Sequence, residues 1–297
     1  MIEWHITEED QGLALAFLQR KIPAAPIGYL RQLLRSGKVR CHGGLLAADD
    51  ALRPGDRVIL PESSRLQTLL AAPPPVQLDI RYETRELLIV NKPAGLAVHR
   101  GKGHEQDNLQ TQLEQLMRTQ KAPFAIAPVH RLDLETSGPV LFAKGKQAAA
   151  KLGRLFAEGG VVKSYLALVA GQMRGSGLLA APVWAKGKMK TAATEFRAIA
   201  DSGGLSLLQL DLSTGRTHQI RRQLAAIGHP LAGDRRYHGP LPATLSRSFL
   251  HCYRLALPDP FNESSIEIAC PLPDELAVFL RQGYPLLWAA LERESLA

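Results

Sequence analysis

Apolar positions along this chain follow short, changing periods and no single sustained one. Leu13, Ala16 and Phe17 fall at helical spacing, and Leu30, Leu33 and Leu34 share one face of a second short helix. Gly37 is placed to end that helix, with Lys38 and Arg40 near its C-terminal end, where the dipole favours cations. Val39-Arg40-Cys41 then turns at His42-Gly43-Gly44, and Leu52 to Leu60 reads as a Pro-Gly turn feeding a short strand. Residues 61–78 interrupt the pattern: Pro61, Ser63, Ser64 and Pro73-Pro74-Pro75 predict a semi-rigid, extended spacer.

From Val76 onward short strands mix with helices. Leu87 to Val90 is a buried-type strand ending at Asn91-Lys92-Pro93-Ala94-Gly95, where the turn requires special backbone geometry at Gly95. Gln147 to Glu158 can place Leu152, Leu155 and Phe156 on one helical face, while Val161–Val169 and Leu205–Leu212 read as strands with partial alternation. Ile220, Leu224 and Ile227 predict the buried stripe of a short helix stopped by Gly228. Strands outnumber crossover-length helices, so the expected class is α+β with a mixed, largely antiparallel sheet. The expected organisation is a small module over 1–60, a proline-rich linker over 61–78 and a larger domain over 79–297.

Composition narrows the function. The 297 residues are 45% hydrophobic and 22% charged, ordinary for a globular protein, and no apolar run approaches a membrane-spanning length. The N-terminus lacks the order of a signal peptide, and Cys41, Cys252 and Cys270 share no metal-like spacing, so a cytoplasmic protein with reduced thiols is expected. No HExxH motif or Cys-His cluster is evident in sequence, and no metal is expected. The net charge of +8 is unevenly spread: six basic and no acidic residues lie from Arg20 to Arg40, and nine basic residues face one Glu from Lys144 to Lys190. Such concentrations suit a polyanion partner, although a solvated surface produces them too.

The most informative segment is His130-Arg131-Leu132-Asp133-Leu134-Glu135-Thr136-Ser137-Gly138. A carboxylate at a strand end, with Arg131 two positions away, can stay ionised out of water because a fixed cation offsets its desolvation. By itself such a pair is more often a structural salt bridge or turn cap than an active site. At these residues the chain resembles the RluA family of RNA pseudouridine synthases, whose HRLDxxTSG aspartate is catalytic. Asn91 to Leu96 resembles that family's NKPxGL motif. Lys163 to Gly171 resembles its KxYxAxVxG strand, and Thr214 to Tyr237 its GRTHQIR…GHP…GD..Y pattern. Residues 12–60 resemble, less closely, the alpha-L RNA-binding motif shared with a small-subunit ribosomal protein. There Cys41-His42-Gly43 stands where Val-Asn-Gly is usual.

The resemblance implies an isomerase that detaches a uracil from its ribose, turns it and rejoins it through carbon, with no cofactor. It implies Asp133 as the acting carboxylate, Arg221 as its ionic partner and Tyr165 as a support for the extruded base. Arg131 would hold the nucleotide or its phosphate, and Arg31, Arg35, Lys38 and Arg40 would contact RNA phosphates. The expected partner is RNA, ribosomal in preference to transfer RNA, and the expected state is a monomer with no membrane association. A non-catalytic RNA-binding protein that keeps the synthase fold is the competing class.

Overall fold

A computed structural model of the chain describes residues 1–71, 78–101, 103–105, 107–120, 124–180, 183–185, 188–190, 192–212 and 214–296. They divide into two units, Met1–Gln77 and Leu78–Ala297.

In the first unit, helices Ala14–Lys21 and Ile27–Arg35 close over a four-stranded sheet ordered Ile2–His5, Arg57–Leu60, Arg40–Cys41, Gly44–Leu45. Leu30, Leu33 and Leu34 are buried as their spacing predicts. The second helix stops as expected: Gly37, at φ 68°, donates to the Leu34 carbonyl and Lys38 to that of Leu33, capping two carbonyls the helix leaves unpaired. The first helix differs in register. Ala14, Phe17 and Leu18 face inward, while Leu13 belongs to the preceding strand and is half exposed.

The segment 61–78 also differs from expectation. Ser64–Ala71 is a helix, started by the Ser63 hydroxyl accepting from the Leu66 amide and anchored by Leu66 in the core. A serine cap followed by leucines at helical spacing outweighs the nearby prolines. Pro73, Pro74 and Pro75 lie outside the described residues.

The second unit is built on two sheets whose paired strands all run antiparallel, an α+β arrangement. One is ordered Ile80–Glu83, Leu87–Lys92, Gly138–Lys144, Ile126–Pro128. The other has six strands, ordered Ser176–Leu179, Thr194–Ser202, Leu205–Leu212, Val162–Ala170, Leu250–Pro258, Ser265–Ala269. The two-residue period of Val162–Ala170 sorts its side chains. Tyr165, Ala167 and Val169 join a core shared with Leu88, Val90, Val140 and Phe142 of the smaller sheet. Leu166 and Leu168 enter a second core under helices Asp274–Gly283 and Pro285–Arg293. A strand apolar on both faces therefore runs through the centre of the unit. At its edge helix Lys146–Ala157 packs Leu152 against the smaller sheet. Among the described residues no helix is long and apolar enough to cross a membrane.

Candidate active site

Asp133 lies in the loop that leads from Ile126–Pro128 into Gly138–Lys144, and four fastenings hold that loop. Lys92, fully buried, donates to the carbonyls of Pro93, Leu96 and Leu134 at 2.7, 2.8 and 3.2 Å. Burial pushes its pKa down to about 7, yet serving three acceptors takes all three protons of the ammonium. The Gly95 amide, at φ 80°, donates to the same Leu134 carbonyl. Arg247, also buried, donates to the Glu135 carbonyl at 2.8 Å and to the Ser137 hydroxyl at 3.0 Å, and is ion-paired to Glu275. Finally, Gly138 takes φ 129° against the backbone of Cys252, where any Cβ would collide with the Cys252 carbonyl. The glycine ending the nine-residue motif is thus dictated by close approach.

Facing this loop is helix Gln219–Ala226. Ile220 and Leu224 are buried as expected, but Ile227 caps the helix end and is exposed, so the predicted stripe is one residue shorter. Arg221 reaches Asp133 with Nη1 3.8 Å from Oδ2, the pairing the resemblance implied. Its tighter partner is Asp234, the aspartate of the GD..Y segment, which the sequence reading did not place in the site. Nε and Nη2 of Arg221 bond the two Asp234 oxygens at 2.6 and 2.8 Å. This two-pronged grip fixes the plane of the guanidinium. Asp234 is fully buried; burial opposes its ionisation, and the Arg221 bonds and charge outweigh that, holding its carboxyl below the usual range. Asp234 also accepts from the Arg236 and Tyr237 amides. His218 is the second residue missed. It precedes the helix in a left-handed conformation, φ 53°, with Nε2 3.8 Å from Oδ1 of Asp133.

Asp133, His218 and Arg221 line a cavity of about 490 Å³, within the range of small-ligand sites. Tyr165 forms part of its wall beside Lys163, Leu212 and Leu250. Burial, reinforced by the neighbouring Cys252 and Asp133, raises the Tyr165 phenol well above its ordinary pKa, so it stays neutral. Beneath it burial pushes the Cys252 thiol up to about 12. His130 accepts from the Leu141 amide and stacks on Phe156 at 5.0 Å; burial lowers its pKa to about 3, leaving it a neutral spacer. The cavity therefore offers one carboxylate, one buried guanidinium and an aromatic wall.

Arg131 does not play the part its sequence position implied. It lies exposed at the cavity rim, and among the described residues the groups paired with Asp133 are Arg221 and His218. The cation beside Asp133 comes instead from the helix, as Arg221. Arg31, Arg35, Lys38 and Arg40 are all exposed in the first unit. The fold also assembles a grouping invisible as spacing: donor atoms of Cys41, His42 and Asp56 lie within 4.8 Å of one another. His42 Nε2 and Asp56 Oδ1 are already bonded at 2.9 Å, and Asp56 Oδ2 accepts from the Arg53 amide, so both of these residues are already engaged within the unit.

Comparison with known proteins gives the family. Residues 86–226 match the RNA pseudouridylate synthase family. The chain is 36% identical to the ribosomal large subunit pseudouridine synthase D of Nitrosomonas europaea over 69% of its own length and 65% of that protein's. It is 32% identical to the ribosomal large subunit pseudouridine synthase C of Vibrio parahaemolyticus, covering 88% of this chain and 89% of that one. Among solved structures, human RNA Pseudouridylate Synthase Domain Containing 4 superposes with a TM-score of 0.57 at 27% identity, over 68% of this chain and 91% of the human one. With Asp133 walling a cavity in this fold, the chain belongs to the RluA-type RNA pseudouridine synthases, and is an isomerase acting on RNA.

Proposed function

We propose that this enzyme isomerises uridines of large-subunit ribosomal RNA, with Asp133 as the residue that acts on the nucleotide. The observation that carries the assignment is the placement of Asp133. It is a carboxylate on a cavity wall, with one oxygen facing the Arg221 guanidinium and the buried Tyr165 ring in the same wall. A uridine cannot be reached inside a helix, so it must be extruded, at a cost of a few kcal/mol that pocket contacts offset. Tyr165 supplies an aromatic face for the turned-out base, since stacking tolerates the rotation the base undergoes. Arg221 sets a fixed positive charge opposite Asp133 as water leaves. Arg131, exposed at the rim, holds the phosphate of the extruded nucleotide. The first unit acts as an alpha-L type RNA-binding module. Its exposed Arg31, Arg35, Lys38 and Arg40 supply sequence-independent affinity through counterion release. The ribosomal substrate is supported by the names of the two bacterial relatives, and the protein acts as a cytoplasmic monomer.

The test is tritium release from RNA labelled at the fifth carbon of uracil. Wild type and Asp133→Ala are compared on separate large-subunit ribosomal and transfer RNA transcripts. Release by wild type alone, from the ribosomal transcript, is expected. Release from transfer RNA only would overturn the substrate, and turnover by Asp133→Ala would overturn the residue.

A further inference from the structure

His218 is held by a chain of contacts that leaves little freedom in where its proton sits. The Tyr237 hydroxyl lies 3.0 Å from Nε of Arg222 and 3.1 Å from Nδ1 of His218. An arginine nitrogen can only donate, so the phenolic oxygen accepts from Arg222 and its single proton is free for His218. Nδ1 is then an acceptor and Nε2 carries the ring proton, because the bond at one ring nitrogen sets the state of the other. Nε2 is the atom that faces Oδ1 of Asp133 at 3.8 Å. The reverse arrangement would place two donors on the phenolic oxygen and turn a bare lone pair of Nε2 towards a carboxylate.

Both oxygens of Asp133 are thereby addressed: Oδ1 by His218 Nε2 and Oδ2 by Arg221 Nη1, each at 3.8 Å. The backbone is committed to this as well. His218 sits at φ 53°, a left-handed conformation that non-glycine residues rarely adopt and that concentrates at functional sites. Its ring packs edge-on against Tyr237, 5.8 Å between centroids, and Tyr237 in turn lies under the Arg221 guanidinium at 5.2 Å.

We propose that His218 is a positioning residue for Asp133, a neutral imidazole whose Nε2–H tautomer is selected by the Arg222–Tyr237 hydrogen bonds and donated to the carboxylate when RNA closes the cavity. This rests on the reading of Asp133 as the acting residue. A neutral donor suits the role: it orients the carboxylate without delivering a proton that would quench it. The groups facing the ring are Asp133 from the loop, Arg221 and Arg222 from its own helix, and Arg236 and Tyr237 from the returning segment. Burial, with those arginines, lowers the His218 pKa despite the pull of Asp133. The acid limb of the activity profile therefore includes protonation of this ring, which puts a proton on Nδ1 and breaks its bond to Tyr237.

The experiment reads the tautomer directly. Nitrogen-15 histidine spectra of the full chain without RNA, with His218 identified by the signal that disappears in His218→Asn, should show Nε2 protonated and Nδ1 bare. Tyr237→Phe, which keeps the ring, should give a mixture. A wild-type spectrum with the proton on Nδ1 overturns the proposal. In turnover, Tyr237→Phe should lower kcat roughly tenfold or more with KM within twofold, as misplacement of a reacting group does. His218→Gln, whose amide reaches as far as Nε2, should outperform the shorter His218→Asn, although asparagine suits the left-handed backbone better. Equal rates in those two, or an unchanged kcat in Tyr237→Phe, overturn positioning. Turnover surviving in Asp133→Ala with the Nε2 tautomer intact removes the underlying assignment and the positioning role with it, and the spectrum distinguishes that failure from a wrong tautomer.

Discussion

Two sets of cations in this molecule are used in opposite ways. Arg31, Arg35, Lys38 and Arg40 stand exposed in the first unit, where water screens each one and their effect is summed over distance. Lys92, Arg221 and Arg247 of the second unit are buried, and each is committed to named oxygens: three carbonyls, the two oxygens of Asp234, and the Glu135–Ser137 loop with Glu275. The first set can contribute affinity without geometry. The second contributes geometry, and its energy appears chiefly when a partner is removed.

That contrast can be broken most sharply at Asp133. Asp133→Ala should abolish tritium release while RNA affinity, measured by filter binding, changes less than about tenfold, since phosphate contacts carry most of the affinity. A loss of binding in parallel with turnover would merge the two roles. Next in size is Asp234→Ala, which leaves the Arg221 charge buried without its two-pronged partner. Removing one member of such a pair costs about 3–5 kcal/mol. The thermal midpoint should fall by about 10 °C, with turnover lost beyond what unfolding explains. An unchanged midpoint would mean that Asp133 alone suffices for Arg221.

Acid should act on the second unit more than on the exposed cations, through two buried histidines. His130 and His251 are held neutral by burial, at about 3 and about 4, below the unfolded value near 6.5. Because the folded values are depressed, the unfolded chain binds protons that the folded one refuses. Stability is full above pH 6.5 and falls, by on the order of a few kcal/mol, as pH drops towards 4. Urea midpoints between pH 7 and 5 should show this decline, and His130→Gln should flatten it. Smallest is the triple change of Arg31, Arg35 and Lys38 to glutamine. The slope of log affinity against log salt should shrink by about 0.7–0.9 for every phosphate that is no longer neutralised, with kcat at saturating RNA unaltered. An unchanged slope would place the RNA elsewhere.

Residues whose meaning lies in local order were legible in the sequence, and those defined by a distant partner were not. Gly37 and Gly95 mark turns by their own backbone needs, and Asp133, Tyr165 and Arg221 stand in motifs dense enough to read. Asp234 lies thirteen residues beyond Arg221, and only the return of the chain after the helix makes them a pair. Arg247 bonds a loop 112 residues earlier, which no periodicity encodes. Where the structure departs from the sequence reading, a local signal is outweighed by another. Arg131 is near Asp133 in sequence, but the groups ion-paired with Asp133 among the described residues are Arg221 and His218, and Ser63 starts a helix where three prolines further on suggest a spacer. Helical spacing admitted Leu13 and Ile227, which lie one residue before and one residue after their helices, because periodicity locates a face better than its ends.

The Lys92 ammonium touches both the 93–96 turn and the carbonyl after Asp133, and the Gly95 amide shares that carbonyl. Neither segment can breathe independently. Local opening of one breaks the bonds of the other, so the Gly95 and Thr136 amides, both bonded within this knot, should exchange with solvent deuterium at a common rate as one cooperative unit. The carboxylate loop would then be either wholly ready or wholly open, with no half-assembled form to admit water to a detached base.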